Sequence, residues 1–571
     1  MIRLPTAAIL LILTCASCIQ CIAANQIPTS FQMLQTAPNH ILYLMHKGET
    51  AKALQAYQEY RKETGLNDFD LLEQIGLILL DEGYRTRDAE VQRLTLFGAG
   101  MSMNEKALYI LEDGIISDDP EQQIVALNFL SQYQNDRADL AMQRAMGSNF
   151  LLIRLETAFK LCSRKDPKAI GQTEGLMAKV PEQVWPVFAQ IYAESGSPEA
   201  KKILRKMMTH KDENVRIAAI LSIAEHDYDD FLPHIRRMAS HHGPAQQEAC
   251  AMALGMLKDE CSANRLMALT KSIHSNVRVA ALASLYHLGR QETIKEIERE
   301  ANTGNLFAIK LLGGMPGSEG SLVRLLENPN VQIKVNAASA LMELGDSRCL
   351  PIISQLLLRD SRDISIGKTA SQGMSLTALR VIPSAQQQFE NDPVGIEVSL
   401  HLRENLLMKA VELPEKEFLA LAHAVFETQQ NDLIPVLAAV LENHPTEGVI
   451  ALLKKHQQKV GAPLVRNYCN LALYRLKQQG PYAQNLLDWV AQQANVDLIR
   501  FRPLVPINQR DINEATFDLT PQESSRLLVE SFESFVSCQD DVGIDILISV
   551  IQTGNPKNKY ALIGLLMRAI Q

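Results

Sequence analysis

The sequence Val-Arg-Ile-Ala-Ala at residues 215–219 decides the fold, because it recurs as Val-Arg-Val-Ala-Ala at residues 277–281. In each copy an aliphatic residue follows eight positions after the valine, Ile223 in the first and Leu285 in the second. Apolar residues at offsets 0, 4 and 8 lie on one face of an α-helix. The interval 277 - 215 = 62 is two steps of 31, so the pattern predicts a helix of this kind at every thirty-first position.

This period extends over six consecutive units. These begin at Gln122, Ile153, Val184, Val215, Gln246 and Val277, and the residues eight positions later are Leu130, Leu161, Tyr192, Ile223, Leu254 and Leu285. All six later residues are apolar or aromatic, although the second unit departs at its small positions, with Glu156 and Thr157. The register then shifts, and the pattern returns at Ile333 and Val465.

A second helix is expected in every unit. Gly345 favours the end of one helix, Asp346 can cap the next, and Pro351 suits a first turn. Two amphipathic helices in about 31 residues cannot bury their apolar faces alone, so neighbouring pairs must stack. The expected fold class is all-α: a right-handed α-α superhelix (solenoid) of stacked antiparallel helix pairs.

Two stretches, residues 212–219 and 345–357, resemble the HEAT-repeat family in the short bacterial form called PBS-lyase HEAT-like repeats. The resemblance implies regular repeats over residues 118–345 and divergent helical repeats over 346–495. HEAT arrays are scaffolds, so the resemblance implies a binding surface more than a particular reaction.

The region before the array, residues 36–117, predicts helical hairpins of another kind. Gly48, Ala53 and Tyr57 have the spacing of a tetratricopeptide second helix. Gly83 follows Gly48 at an interval close to the period of about 34 residues in that family. These hairpins therefore resemble tetratricopeptide repeats.

The region after the array, residues 496–571, begins with a break at residues 501–506, where two prolines disfavour a helix. Capping helices are expected to follow it. The last one, at about residues 556–571, is expected to cover the last stacked pair.

Residues 1–24 predict an export signal. Arg3 precedes an apolar run at residues 7–13, and small residues lead to a cleavage site after Ala23 or Ala24. No later segment reaches the run of about 18 consecutive apolar residues that a membrane-spanning helix needs, so we predict no transmembrane helix. The expected location is outside the cytoplasm, in a bacterial periplasm or cell envelope or in the medium.

A lipoprotein signal is the alternative interpretation of the same segment. It would place a lipid on Cys18, and the protein would then be attached to a membrane. Cys15 occupies the position where such signals favour a bulky aliphatic residue, so the motif is imperfect.

Composition excludes some classes of function. The chain has 56 basic and 65 acidic residues, a net charge of -9, which argues against a nucleic-acid partner. The six cysteines beyond the signal have no zinc-site spacing and are interpreted mainly as small buried residues. Common catalytic motifs are also missing. We therefore predict no catalytic, cofactor-binding or metal-binding residues and no cofactor.

A basic residue recurs directly after the first apolar residue of the repeated helix. The residues at this position are Arg154, Arg216, Arg278, Lys334 and Arg466. They are predicted to form a ladder that bridges neighbouring repeats, or else to line a binding interface.

The sequence therefore favours an exported, non-enzymatic scaffold or adaptor. It would bind a protein or peptide partner on the concave face of the array, along the helices near Val184, Val215, Gln246 and Val277.

The alternative is a HEAT-like enzyme, a lyase or a metal-dependent hydrolase, that uses the histidine-rich stretch 210–242. There, His226, Asp230 and His234 have offsets of 4 and 8 and would share one helix face. Pro233 and the neighbouring aspartates favour a turn at this position instead.

Overall fold

The computed structural model of the chain describes residues 29–240, 243–358, 364–370, 377–383, 402–493, 499, 522–538 and 540–568. The predicted export signal, Cys18 and the break at residues 501–506 lie outside the described residues. The described chain is helical apart from one β-hairpin, so the prediction of an all-α solenoid of stacked helix pairs is confirmed. It forms two compact units. Unit 1 combines residues before Leu108 with residues after Ser534, and unit 2 contains most of the residues that lie between these two segments in the sequence.

The helices up to the hairpin are numbered in chain order. They are α1 (Thr29–His46), α2 (Thr50–Thr64), α3 (Phe69–Tyr84), α4 (Ala89–Met101), α5 (Leu108–Gly114), α6 (Pro120–Leu130), α7 (Asp136–Ala145), α8 (Leu151–Ser163), α9 (Ala169–Met177), α10 (Trp185–Ser195), α11 (Pro198–Met207), α12 (Glu213–Glu225), α13 (Leu232–Met238), α14 (Pro244–Met256), α15 (Ala263–Leu269), α16 (Ser275–His287), α17 (Ile294–Asn302), α18 (Leu306–Leu312), α19 (Glu319–Leu325), α20 (Val331–Glu343) and α21 (Leu350–Leu357).

The hairpin and the remaining helices follow. They are β1 (Ile364–Ala370), β2 (Thr377–Pro383), α22 (402–409), α23 (Glu415–Glu427), α24 (Ile434–Asn443), α25 (Glu447–His456), α26 (Pro463–Arg475), α27 (Tyr482–Gln493), α28 (Glu523–Ser537), α29 (Asp541–Thr553) and α30 (Lys559–Arg568). Short 3-10 turns occur at Glu105–Ala107, Glu182–Val184, Asp229–Phe231, Glu260–Ser262, Gln291–Thr293, Ser347–Cys349 and Ala410–Glu412.

The period of the sequence is visible in where the helices of unit 2 begin. We call the even-numbered helices from α6 to α26 the first helices and the odd-numbered helices from α7 to α27 the second helices. Successive first helices, including the 3-10 turn that leads into α10, begin at equal intervals, at Pro120, Leu151, Glu182, Glu213, Pro244, Ser275 and Leu306. The six residues predicted at offset eight, from Leu130 to Leu285, all have a relative exposure of 0%.

Stacking of neighbours buries these residues. Helix α12 packs on α10 and α14, and α14 packs on α16, while each second helix packs on the first helices beside it. Small side chains allow close approach: Gly255 of α14 faces Ser284 of α16, whose hydroxyl donates to the carbonyl of Ala251 at 2.7 Å. The helices begin at caps suited to them, with Asp212 accepting from the amide of Asn214 and Asp119 from that of Glu121.

Regularity ends after α18. The next first helix, α20, begins at Val331, earlier than a full period after Leu306. After α21 the chain contains β1 and β2, paired antiparallel from Ile364 opposite Pro383 to Ala370 opposite Thr377. Residues 371–375 lie outside the described part of the chain. Strand β2 lies beside α18 and α20.

In unit 1 the two ends of the chain pack together. Helix α30 packs on α3 and α4, and α29 packs on α2. Gly98 of α4 and Gly564 of α30 meet so closely that a Cβ on either would strike the backbone of the other helix. Lys557 pairs with Asp88 at 2.9 Å and with Glu90 at 2.6 Å.

The expectation that the last helix covers the last stacked pair is therefore corrected. Helix α28 takes that place: the hydroxyl of Tyr468 in α26 donates to the carbonyl of Glu523 at 3.2 Å, and Arg475 donates to the hydroxyl of Ser534 at 2.8 Å. Helix α30 packs on α3 and α4 because its glycine face fits the glycine face of α4.

None of the described helices is both long and apolar enough to cross a membrane. The six described cysteines are unbridged, and four of them are buried, as the sequence interpretation expected; Cys261 and Cys538 are exposed.

Candidate functional site

Arg216 and Arg278 occupy equivalent positions in two repeats and make equivalent contacts. Arg216 donates to the carbonyls of His210 and Lys211 at 2.8 and 3.0 Å. Arg278 donates to the carbonyls of Ser272 and Ile273 at 2.8 and 3.1 Å. Each guanidinium therefore satisfies carbonyl groups of the turn that follows a second helix, groups that helix ends leave without partners.

Each arginine also binds a side chain further along the sequence, and Arg216 alone reaches the following repeat. Arg216 donates to the side-chain oxygen of Gln246 at 2.7 Å, and Gln246 has an exposure of only 1%. Arg278 donates to Glu300 at 2.7 Å. The contact with Gln246 ties one repeat to the next, whereas the contact with Glu300 ties α16 to α17, the second helix of the same repeat.

The other three members of the predicted ladder differ. Arg154, Lys334 and Arg466 are half-buried, and their side chains have no hydrogen-bond or ion-pair partner among the described residues. Their charges are thus not used in bridging repeats within the described structure. The predicted ladder contains two kinds of residue, which the sequence pattern alone does not separate.

Aliphatic side chains are exposed in the turns that precede first helices. We call these segments, each between a second helix and the next first helix, the repeat turns. Ile273 and Val460 lie in two of them, Val331 begins α20 just after a third, and Ile116 lies in the similar turn between α5 and α6. Ile273 has an exposure of 89% and Val460 one of 92%, values that leave almost the whole side chain in water.

The first helices themselves offer little surface. In α12 the residues from Ala219 to Ala224 are all buried, as are those of α14 from Glu248 to Gly255. Helices α12 and α14 each lie between two other first helices, and second helices also pack on them, so most of their faces are covered. The accessible part is mainly the first turn and the repeat turn before it.

The histidine-rich stretch 210–242 does not form the predicted ligand set. His226 ends α12, where its Nε2 lies 3.2 Å from Glu194, and Asp230 sits in the following 3-10 turn, paired with Lys201 at 2.9 Å and Arg205 at 2.8 Å. His234 lies in α13. The turn favoured by Pro233 separates the three residues, and the cations neutralise Asp230. His241 and His242 lie outside the described residues.

A different cluster brings together His423 and Glu427 of α23 with His456 of α25. Nδ1 of His423 lies 2.7 Å from Nε2 of His456. Oε1 of Glu427 lies 3.9 Å from Nδ1 of each histidine. Lys459 holds the other carboxylate oxygen at 2.8 Å, and Lys455 lies 3.4 Å from Nε2 of His423. We call His423, Glu427 and His456 the His-Glu-His cluster.

Burial differs sharply within the His-Glu-His cluster. His456 has an exposure of 1%, whereas His423 and Glu427 are largely accessible, with 37% and 46% of their side chains exposed. Burial, followed by the nearby His423, lowers the pKa of His456 to about 4, so its imidazole is neutral at neutral pH. Burial opposes the charged form of a histidine.

The residues of this cluster were not among the predicted ligands, because they lie in two separate repeats and not within one stretch of the sequence. His423 and Glu427 are four residues apart and so share a helix face. His456 follows His423 by 33 residues, close to one repeat length. In a stack of repeats, positions about one period apart become neighbours, and this spacing is the signal that could have revealed the cluster.

The stacked helix pairs of unit 2 define a helical-repeat protein, and family models identify the repeat. Residues 203–286 match a model described as HEAT repeats, and residues 333–359 match one described as PBS lyase HEAT-like repeat. The predicted resemblance is confirmed over these two stretches, which are similar to HEAT repeats. The tetratricopeptide likeness of residues 36–117 stays a prediction.

Solved structures with some likeness include the karyopherin Kap121p bound to the extreme C-terminus of the protein phosphatase Cdc14p, with 12% identity and a TM-score of 0.37. That match covers 89% of this chain and 60% of the Kap121p chain. UNC-45 from Drosophila melanogaster matches with 12% identity and a TM-score of 0.30, covering 95% of this chain and 86% of UNC-45. No curated protein matches the sequence.

Proposed function

We propose that this protein is an exported, non-enzymatic scaffold or adaptor that binds a protein or peptide partner along its repeat turns. The observation that carries the proposal is the exposure of aliphatic side chains in this element, almost complete at Ile273 and Val460. Stacked repeats place equivalent elements in a row, so exposed groups in several repeat turns can contact one extended partner.

Charge supports the same surface. Lys334 and Arg466 lie in the first turns of α20 and α26, next to Val331 and the turn that contains Val460. Because their cations have no partner among the described residues, they are available to acidic groups of a ligand. A polar rim around apolar contacts is the usual composition of a protein interface.

We also propose that the protein is exported, because residues 1–24 have the pattern of a cleaved signal. Mass spectrometry of the mature N-terminus tests it. We expect a chain that begins at Ala24 or Asn25; a lipid-modified Cys18 would indicate a membrane-attached scaffold, and an intact Met1 would contradict export.

Site-specific photo-crosslinking tests the binding surface. A photoreactive amino acid is placed at Ile273 or Val460 in the producing cell. The matched control is Leu140, an aliphatic residue on the second helix α7 that is also exposed, at 52%. We expect the two turn positions to capture the same protein, and Leu140 to capture none of it.

A second step tests whether the captured protein depends on the apolar side chains. Val460→Asp should weaken capture from position 273, because a charge replaces an apolar contact while the fold loses nothing buried. Capture at Leu140 alone, or equal capture at all three positions, would contradict the proposal.

A further inference from the structure

We propose that the His-Glu-His cluster is a binding site for one divalent transition-metal ion of the zinc type, held by His423, Glu427 and His456. The inference concerns the second helices α23 and α25 and is independent of the partner surface proposed above. It begins with the donor set: two imidazoles and one carboxylate are ligands that Zn²⁺ accepts, commonly with a water molecule in the fourth position.

The spacing of the donor atoms fits such an ion after a small adjustment. The three residues each offer a ligand atom, and these atoms lie within 4.8 Å of one another. Ligands on a tetrahedral zinc ion with bonds of about 2.0–2.1 Å are separated by about 3.4 Å. The two distances from Nδ1 to Oε1 are 3.9 Å, so each needs to shorten by a fraction of an ångström, and Nδ1 of His423 must exchange its 2.7 Å contact with Nε2 of His456 for the ion.

The buried nitrogen of His456 points to a missing cation. Its Nδ1 has no hydrogen-bond partner among the described residues. If Nε2 of His456 donates to His423, Nδ1 carries a lone pair that faces Oε1 of Glu427, an acceptor, at 3.9 Å. If Nδ1 carries the proton instead, 3.9 Å is too long for a hydrogen bond. A buried polar atom without a partner is costly, and a cation between these two acceptors would satisfy both.

The surroundings leave the right atoms available. Lys459 occupies Oε2 of Glu427 at 2.8 Å and leaves Oε1 directed at the histidines. Lys455 and Lys459 oppose a cation by their charge, so the two imidazole nitrogens must supply most of the affinity. His423 and Glu427 are partly exposed, which gives an ion access and lets both side chains move as it binds.

The position of the cluster gives the ion a structural effect. Helices α23 and α25 are neighbouring second helices that pack on one another. An ion bound to both would link two adjacent repeats. Ligands that bind only the folded state raise its stability by mass action, so the bound ion should raise the melting temperature of the protein.

Calorimetric titration of the full chain tests the proposal. The protein carries no polyhistidine tag, is stripped with a chelator and is titrated with Zn²⁺; Co²⁺ is added in parallel because tetrahedral Co²⁺ absorbs visible light. We expect one ion per chain. His423→Ala and Glu427→Gln should each weaken binding by more than about 100-fold, the upper end of the effect of losing a second-shell partner.

His226→Ala is the matched control, since His226 also lies beside a glutamate, Glu194, on neighbouring first helices. It should bind Zn²⁺ like the unmodified chain. Circular dichroism establishes that His423→Ala and Glu427→Gln are folded, which is expected because both side chains are partly exposed. Absence of one-to-one binding in the unmodified chain, or binding that survives both substitutions, would overturn the proposal.

Discussion

Both units are built from packed helices, but the residues that contact one another are separated by very different lengths of chain in the two units. In unit 2 the contacts between repeats join residues about one period apart, as in Arg216 with Gln246 and Ser284 with Ala251. In unit 1 they join the ends of the chain: Lys557 contacts Glu90, 467 residues away, and Arg61 contacts Asp541, 480 residues away.

This difference has consequences for stability. A repeat that touches only its neighbours gains its stability from its own helices and from the two adjacent interfaces. In unit 1 two distant segments must meet before the contacts between them form, so the entropy of closing that loop must be overcome first. Both tryptophans, Trp185 and Trp489, belong to unit 2, and their fluorescence therefore follows that unit alone.

The largest effect is expected from Leu254→Ala in α14. Leu254 is one of the fully buried residues at offset eight, so its loss creates a cavity between repeats. We expect a loss of about 2–5 kcal/mol in the free energy of unfolding of unit 2. Tryptophan fluorescence in urea measures it. Leu140→Ala, at an exposed position, is the control and should change the midpoint little; an equal shift for both variants would contradict nearest-neighbour packing.

Gly98→Val tests the close crossing in unit 1. The added side chain would strike the backbone of Tyr560, so overpacking should cost about 1–3 kcal/mol or somewhat more. Hydrogen exchange should show faster opening of α3, α4 and α30, while the fluorescence transition of unit 2 stays in place. Gly175→Val has open space around it and serves as the matched control.

Arg236→Ala tests an ion pair between repeats of unit 2. Arg236 donates to both carboxylate oxygens of Asp259, at 2.8 and 2.5 Å, and Asp259 has an exposure of 4%. Its removal leaves a buried acceptor short of a donor, at a cost of about 1–3 kcal/mol. Urea unfolding measures the change, and an unaffected midpoint would mean that water replaces the guanidinium without loss.

Acid should weaken the same pair. Burial alone would raise the pKa of Asp259, but hydrogen bonds from Arg236 and Ser262 outweigh it and hold the pKa below its usual value. Stability from this carboxylate is thus present above the pKa of about 3.9 in the unfolded chain, and is lost as the pH falls through the lower folded pKa. We expect Asp259→Asn to flatten the decline of the unfolding midpoint below about pH 4.

The smallest effects should separate the two kinds of residue in the predicted ladder. Arg278→Ala removes a bridge to Glu300 and should cost about 1 kcal/mol. Arg466→Ala removes a cation without a described partner and should change stability by less than about 0.5 kcal/mol. In the crosslinking experiment Arg466→Ala should instead reduce capture at position 460. A larger loss of stability for Arg466→Ala than for Arg278→Ala would contradict the structural role assigned to the Arg278 contacts.

The structural features that depend only on one repeat and its neighbour could be predicted from the sequence. The period and the buried residues at offset eight both follow from local patterning. The close packing of Gly98 against Gly564 could not be predicted, because the sequence of a helix does not indicate which helix packs on it when that helix lies near the opposite end of the chain. The β-hairpin lies outside the regular repeats, so the repeat period could not predict it.

The candidate site shows the same limit at closer range. His226, Asp230 and His234 are near in sequence, yet a turn and two cations keep them from forming a ligand set. His423 and His456 meet because they lie about one repeat apart. The five basic residues of the ladder share one pattern, and only the side-chain contacts divide them into bridging and unpaired members.

The central claim is that unit 2 is a stack of neighbouring repeats and that unit 1 depends on both ends of the chain. Native-state hydrogen exchange on a chain that ends at Cys538 tests this claim most directly. This truncation removes α29 and α30 and leaves every first and second helix. We predict that α2, α3 and α4 lose their protection, while α12, α14 and α16 keep theirs. Loss of protection in α12 to α16 as well, or unchanged protection in α2 to α4, would contradict the account.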